Sequence, residues 1–146
     1  MAKNNFLIYT DGGSRGNPGP SAIGAVVGVK EYGQSIGNTT NNIAEYTALI
    51  YGLQEALLLN ATSIKINTDS QLLYRQVKKI YKIKSPNILG LYNQALRLMS
   101  AFKEVSINHI SREMNRGADK LATQAVKEQL KRLSSKAAPV RWGMSR

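Results

Sequence analysis

The hydrophobic period of this chain changes near Thr39-Thr40-Asn41-Asn42, and that change limits the possible folds more than any other feature. Before it, apolar residues come in short runs separated by glycine and proline, the pattern of strands joined by tight turns. Residues 4 to 11, 22 to 29 and 32 to 38 read as three strands, and a tight turn near Tyr32-Gly33 makes them an antiparallel meander. The segment Ser14-Arg15-Gly16-Asn17-Pro18-Gly19-Pro20 between the first two is too rich in turn residues for any regular element. After the change, Ile43, Thr47, Ile50, Leu53 and Leu57 recur at helical spacing and predict a helix to about Leu59.

Strand and helix then alternate. Ser63 to Thr68 reads as a strand that runs at Asp69-Ser70 into a helix through Leu72, Leu73 and Val77. Ser85-Pro86-Asn87 opens a further helix to about Phe102, and Glu104 to Ser111 is a fifth strand with Val105, Ile107 and His109 on one face. Asn115 is placed to cap a last helix whose Ala118, Leu121, Ala122 and Ala125 lie towards one side. The expected architecture is α/β, a five-stranded mixed sheet flanked by helices in the order βββαβααβα. A chain of 146 residues fits one such domain, expected over 1–130, with a basic tail over 131–146 that is expected to be loosely ordered.

Charge points to a polyanionic partner. Twenty Lys and Arg face nine acids, a net charge of +11, and residues 65 to 146 hold 17 of those basic groups against five acids. Such a balance is the electrostatic footprint of nucleic-acid binding. The absence of cysteine excludes disulfides, thiolate metal sites and a cysteine nucleophile, and no segment offers 18 uncharged apolar residues in a row. With no signal-peptide core near Met1, a soluble cytoplasmic protein without a membrane partner, acting as a monomer, is expected.

In this basic chain four acids fall where an α/β sheet gathers ligands. Asp11 and Asp69 end predicted strands, while Glu45 and Asp119 lie at the starts of predicted helices. The ends of parallel strands and the starts of the helices that follow them share one edge of such a sheet. Each acid also has a plain reading. Asp11-Gly12 could close a hairpin, Glu45 could complete a capping box with Asn42, Asp69 could cap its helix, and Asp119 could favour a helix dipole. Four carboxylates together repel by about 4 kcal/mol per pair at ~4 Å and an effective dielectric of 20, which suits a divalent cation. Oxygen-only ligands favour Mg²⁺ or Mn²⁺, and two such ions ~3.5 to 4 Å apart suit in-line attack on a phosphodiester.

The residues around these acids resemble the type 1 ribonuclease H family over almost the whole length. They are Tyr9-Thr10-Asp11-Gly12-Gly13-Ser14 with Asn17-Pro18-Gly19, Thr40-Asn41-Asn42 with Glu45, Thr68-Asp69-Ser70-Gln71, and Asn115 with Ala118-Asp119 and Leu121-Ala122. The resemblance implies the ribonuclease H-like fold and hydrolysis of the RNA strand of RNA/DNA hybrids, leaving 5′-phosphate and 3′-hydroxyl ends. It implies two Mg²⁺ per site, with Mn²⁺ as a substitute, held by Asp11, Glu45, Asp69 and Asp119, with Asp11 bridging both. It also implies substrate contacts: Gly12, Gly13 and Ser14 to ribose 2′-hydroxyls, Asn17, Asn41 and Gln71 to bases or sugars, and Thr40 with Asn41 to a DNA phosphate. Two other readings share these residues: a non-catalytic module binding hybrid or duplex RNA, and a nuclease with a different substrate.

Two departures from the family pattern bear on the site. Many members carry a histidine in a loop before the last acid; here Ser111-Arg112-Glu113-Met114 has none, and Glu113 is the nearest polar candidate. The sole histidine, His109, falls within the fifth strand and is not assigned to catalysis. The basic protrusion of some members is reduced to residues 77 to 84, where Lys78, Lys79, Lys82 and Lys84 form a possible grip on the hybrid.

Overall fold

The computed structural model describes residues 5–137. In chain order its elements are β1 (Asn5–Ser14), β2 (Gly19–Val27), β3 (Lys30–Thr39), α1 (Asn41–Leu58), β4 (Ser63–Thr68), α2 (Gln71–Val77), α3 (Pro86–Met99), β5 (Glu104–His109) and α4 (Arg116–Ala137). This is the expected order βββαβααβα, with one 3₁₀ turn, Arg112–Asn115, set before α4. The strands form one mixed sheet in the order β3-β2-β1-β4-β5, antiparallel at β3-β2-β1 and parallel at β1-β4-β5.

The main core lies between the sheet and α1 with α3. Register places Ile8, Ile66 and Ile107 in one row across the parallel strands, and they pack with Tyr46, Leu49 and Leu53. Full burial of each large side chain contributes about 1.5–3 kcal/mol. On the other face α4 lies over β2, β3 and β1 through Ala118, Ala122 and Val126. The sheet therefore carries an acid-bearing helix on each face, at the end where β1 and β4 finish.

Several boundaries differ from the sequence reading, each for a local reason. The β2–β3 turn is Gly28-Val29, where Gly28 takes the left-handed backbone (φ 62), and not Tyr32-Gly33, which lies inside β3. Gly33 is instead a contact point, since a Cβ there would come within 2.8 Å of the Leu121 carbonyl oxygen of α4. β1 continues through Gly12 and Gly13 to Ser14, paired with β2, so it passes its expected end at Asp11 and Asp11-Gly12 closes no hairpin. α4 runs to Ala137, seven residues past the expected boundary at 130, so residues 131–137 of the expected loose tail are helical. The rest of that tail, 138–146, lies outside the described residues.

Candidate active site

The four predicted acids come from three elements and one link and line one cavity of about 450 Å³, shared with Gly12, Gly13, Ser14 and Asn41. Asp11 is in β1, Glu45 opens the second turn of α1, Asp69 is in the link from β4 to α2, and Asp119 is in the first turn of α4. The glycine after Asp11 explains how α1 comes so near. A Cβ on Gly12 would lie 2.2 Å from the Ala44 carbonyl oxygen and 2.7 Å from the Glu45 nitrogen, so only glycine admits the helix.

Burial and mutual repulsion dominate the electrostatics of this cavity. Burial pushes the Asp11 carboxyl up from 3.8 to about 8; the charge of Asp69, a hydrogen bond with Asp119 and the charges of Asp119 and Glu45 all add to the rise. Burial likewise raises Glu45 from 4.5 to about 7, opposed by a hydrogen bond from Ser70, increased by the Asp69 charge and opposed again by Arg112. The Ser70 hydroxyl donates to Glu45 Oε1 at 2.9 Å and accepts from the Leu73 N–H at 3.2 Å. One side chain thus caps α2 and steadies an acid. The Arg112 guanidinium lies 3.7 Å from Asp69.

These contacts decide among the plain readings of the acids. Thr40, not Asn42, caps α1, its hydroxyl accepting from the Ile43 N–H at 3.3 Å, and Glu45 turns to Ser70 instead of back to a cap. Ser70, not Asp69, caps α2. Asn115 does not serve as an ordinary cap: it ends the 3₁₀ turn, and its side-chain amide donates to the Thr10 carbonyl oxygen at 2.9 Å.

The predicted substrate residues divide into two groups. Ser14 and Asn41 line the cavity and Asn17 does not, but the three form a hydrogen-bonded chain: the Ser14 N–H donates to Asn41 Oδ1 at 2.8 Å, and the Asn41 N–H donates to Asn17 Oδ1 at 3.0 Å. Gln71 is exposed at the start of α2 and does not line the cavity. Lys78, Lys79, Lys82 and Lys84 are exposed in and after the turn that ends α2, also away from it. Within that basic segment Arg75 Nη1 donates to the Tyr81 hydroxyl at 2.6 Å, a tie the sequence did not suggest. Glu113, the expected stand-in for a loop histidine, is exposed and does not line the cavity, whereas its neighbour Arg112 does. The signal was available, since Arg112 lies in the same short link, but a search for a proton carrier passes over a group that stays protonated.

Among the described residues no group of three or more His, Cys, Asp or Glu side chains is arranged to hold a metal ion. Each carboxylate has a local partner instead: Asp11 with Asp119, Glu45 with Ser70, and Asp69 with Arg112. The donor set itself fits a hard divalent cation, being oxygen-only and crowded, with the Asp11 and Glu45 carboxyls pushed up by burial and by neighbouring negative charge.

Comparison with known proteins adds independent findings. A family model described as reverse transcriptase-like matches residues 10–125. A bifunctional protein of Mycobacterium tuberculosis is 39% identical over 142 residues, covering 92% of this chain and 39% of the relative. The chain thus spans about two fifths of the length of the mycobacterial relatives it matches. The solved N-terminal RNase H domain of the Mycobacterium tuberculosis protein, a fusion with maltose-binding protein, superposes with a TM-score of 0.86 at 40% identity, covering 90% of this chain and 99% of that one. The ribonuclease H of Coxiella burnetii is 31% identical over 153 residues, covering 90% of this chain and 98% of its own length. LC11-RNase H1, isolated from compost and solved in complex with an RNA/DNA hybrid, gives a TM-score of 0.81 at 35% identity, covering 86% and 99% of the two chains.

Proposed function

The chain belongs to the type 1 ribonuclease H family, and from that premise we propose that it hydrolyses the RNA strand of RNA/DNA hybrids, leaving 5′-phosphate and 3′-hydroxyl ends. One observation carries the reading beyond kinship: Asp11, Glu45, Asp69 and Asp119, from separate parts of the chain, line a single cavity with Ser14 and Asn41, and Asn17 bonds to Asn41 beside it. The hybrid bound by LC11-RNase H1 supports the choice of substrate.

Asp11, Glu45, Asp69 and Asp119 would hold Mg²⁺, two ions per site, with Mn²⁺ as a substitute. Ions bound there would lower the pKa of an attacking water and stabilise the leaving oxygen. Asp11 would be central to that set, since its carboxyl interacts with each of the other three acids. The Ser70 hydroxyl orients Glu45, and Arg112 offsets negative charge beside Asp69. At the mouth, backbone groups of Gly12, Gly13 and Ser14 meet ribose 2′-hydroxyls, the groups that distinguish RNA from DNA. A Cβ on Gly13 would meet only Asn41 Oδ1 at 3.9 Å, so that approach is open. Asn17, Asn41 and the more distant Gln71 contact bases and sugars, and Thr40 contacts a DNA phosphate while its hydroxyl also accepts from Ile43. Lys78, Lys79, Lys82 and Lys84 hold phosphates further along the duplex.

No helix among the described residues is long and apolar enough to cross a membrane. We place the protein in the cytoplasm as a monomer, a setting that suits a cysteine-free chain. A second reading, a non-catalytic module for hybrid or duplex RNA, draws on the separate partners of the four acids. End-labelled hybrid, duplex RNA and duplex DNA incubated with Mg²⁺ or Mn²⁺ separate the two. Cleavage of hybrid RNA by the wild type and none by Asp11→Asn is expected. Binding without cleavage by the wild type would establish the second reading, and equal cleavage by the variant would remove Asp11 from the centre.

A further inference from the structure

We propose that Gly24 and Asn115 are positioning residues that fix the approach of Asp119 to Asp11, Gly24 as the seat of α4 and Asn115 as its latch. The inference rests on the reading of the four carboxylates as the metal-binding centre. Asp11 belongs to the sheet and Asp119 to the helix that covers it, so their separation depends on how closely the first turns of α4 settle on the strands. Two independent contacts control that closeness, and each lies beside both acids.

Gly24 is the antiparallel partner of Asp11, and directly paired residues share a face of the sheet. A Cβ at Gly24 would lie 2.0 Å from the carbonyl oxygen of Ala118 and 2.8 Å from the nitrogen of Ala122. Ala118 immediately precedes Asp119. Because real Cβ contacts do not fall below 3.0 Å, any larger residue at position 24 would force this part of α4 outwards by about 1 Å. Glycine in a strand interior weakens the strand, so its placement under the acid-bearing turn marks a needed close approach. Gly33 is paired with Gly24 and extends the ledge beneath Leu121, further from Asp11.

Asn115 makes the second contact. Its side chain is 1% exposed, and its amide donates at 2.9 Å to the carbonyl oxygen of Thr10. Thr10 precedes Asp11 in β1, and Asn115 lies one helical turn before Asp119. The bond therefore joins the backbone beside one acid to the turn that leads into the other. Packing alone would need only apolar contact here, as Ala118, Ala122 and Val126 already supply.

The test compares Gly24→Ala and Asn115→Ala with the wild type and with Ile88→Ala, a truncation in the core under α3 that measures general destabilisation. Mn²⁺ affinity of the free protein is read by titration calorimetry, and kcat and KM on hybrid with Mg²⁺. A misplacement of about 1 Å can cost on the order of 100-fold in rate. Both positioning variants are expected to lose about tenfold or more in Mn²⁺ affinity and about 10- to 100-fold in kcat, with KM within about twofold. Activity with Mg²⁺ should fall further than with Mn²⁺, because Mg²⁺ demands near-ideal octahedral geometry. Ile88→Ala should lose melting temperature without these changes. Wild-type Mn²⁺ affinity and kcat in Asn115→Ala and in folded Gly24→Ala would overturn the inference, and so would an equal loss in Ile88→Ala. Should Gly24→Ala not fold, Asn115→Ala alone decides. Failure of the wild type to bind Mn²⁺ or cut hybrid would instead overturn the underlying reading of the centre.

Discussion

Asp11→Asn should stabilise the metal-free protein while abolishing cleavage. In the folded chain the Asp11 carboxyl titrates at about 8, against 3.8 ordinarily, chiefly because it is buried and because Asp69 and Asp119 lie beside it. The folded state therefore holds a proton that the unfolded chain releases near pH 4. Stability from this group is fully present below about pH 4 and is lost as pH rises through about 8, at up to about 1.4 kcal/mol per unit. The full window would amount to about 5 to 6 kcal/mol; allowing about half for carboxylates that swing apart as charge develops leaves about 2 to 3 kcal/mol. Asparagine cannot ionise, so the variant escapes this loss. For a domain of this size that is a rise of roughly 5 to 10 °C in melting temperature at pH 8, and close to none at pH 4. Calorimetric melts in EDTA across this range measure it. Addition of Mg²⁺ should reverse the order, since a ligand at 100 times its Kd adds about 2.7 kcal/mol to the protein that binds it. A wild-type melting temperature flat between pH 5 and 8, or a variant no more stable than wild type at pH 8 without metal, would refute the reasoning.

Other outcomes follow from the same site. At limiting Mg²⁺, kcat/KM on hybrid should rise through about pH 7 to 8, because Asp11 and Glu45 must both release protons before they can bind a cation; raising Mg²⁺ should move that rise to lower pH. Ser70→Ala should cost about 1 kcal/mol through the lost α2 cap, and about 1.5–3 kcal/mol more through the lost bond to Glu45 where that acid is ionised. It should also shift the pH–rate rise upwards, since the Ser70 hydrogen bond is the larger of the two interactions, with the Arg112 charge, that lower the Glu45 pKa. Replacing Lys78, Lys82 and Lys84 together by Gln should weaken hybrid binding and flatten its salt dependence by about one unit of log–log slope per lost phosphate contact, with kcat preserved. Lys79 is left in place because its left-handed backbone (φ 64) would make its replacement a test of conformation too.

The order of elements and the meeting of the acids were legible because both depend on period and position along the chain. Asp11 and Asp69 finish neighbouring parallel strands, and Glu45 and Asp119 open helices that start at the same edge, which topology alone implies. What escaped the sequence was which partner each polar group chooses. Thr40, Asn41 and Asn42 are all competent caps, and only the packed backbone selects Thr40 and frees Asn41 to bridge Ser14 and Asn17. Gly33 reads locally as a turn, but its role is set by Leu121, far away in sequence. Glu113 was the candidate in the link before α4, and it is the fold of the 3₁₀ turn that brings its neighbour Arg112, a cation, into the cavity in place of the acid.

The three partnerships among which the acids are divided differ greatly in strength, and that difference determines what controls the centre. Arg112 is 82% exposed and 3.7 Å from Asp69, so the pair contributes at most about 1 kcal/mol and is easily exchanged. The Ser70 bond to Glu45 is worth about 1.5–3 kcal/mol as a charge-assisted bond and is compatible with ligation, because the carboxylate keeps free lone pairs. The Asp11–Asp119 contact is of another kind, since two carboxylates bond only through a proton. A cation entering between them must displace that proton, and the work required is set by the elevated pKa of Asp11. The pH dependence of cleavage and the stabilisation by Asp11→Asn are therefore one quantity measured from two sides. If the stability slope of the wild type is small, the rise in rate with pH must be small as well, whatever the identity of the ion.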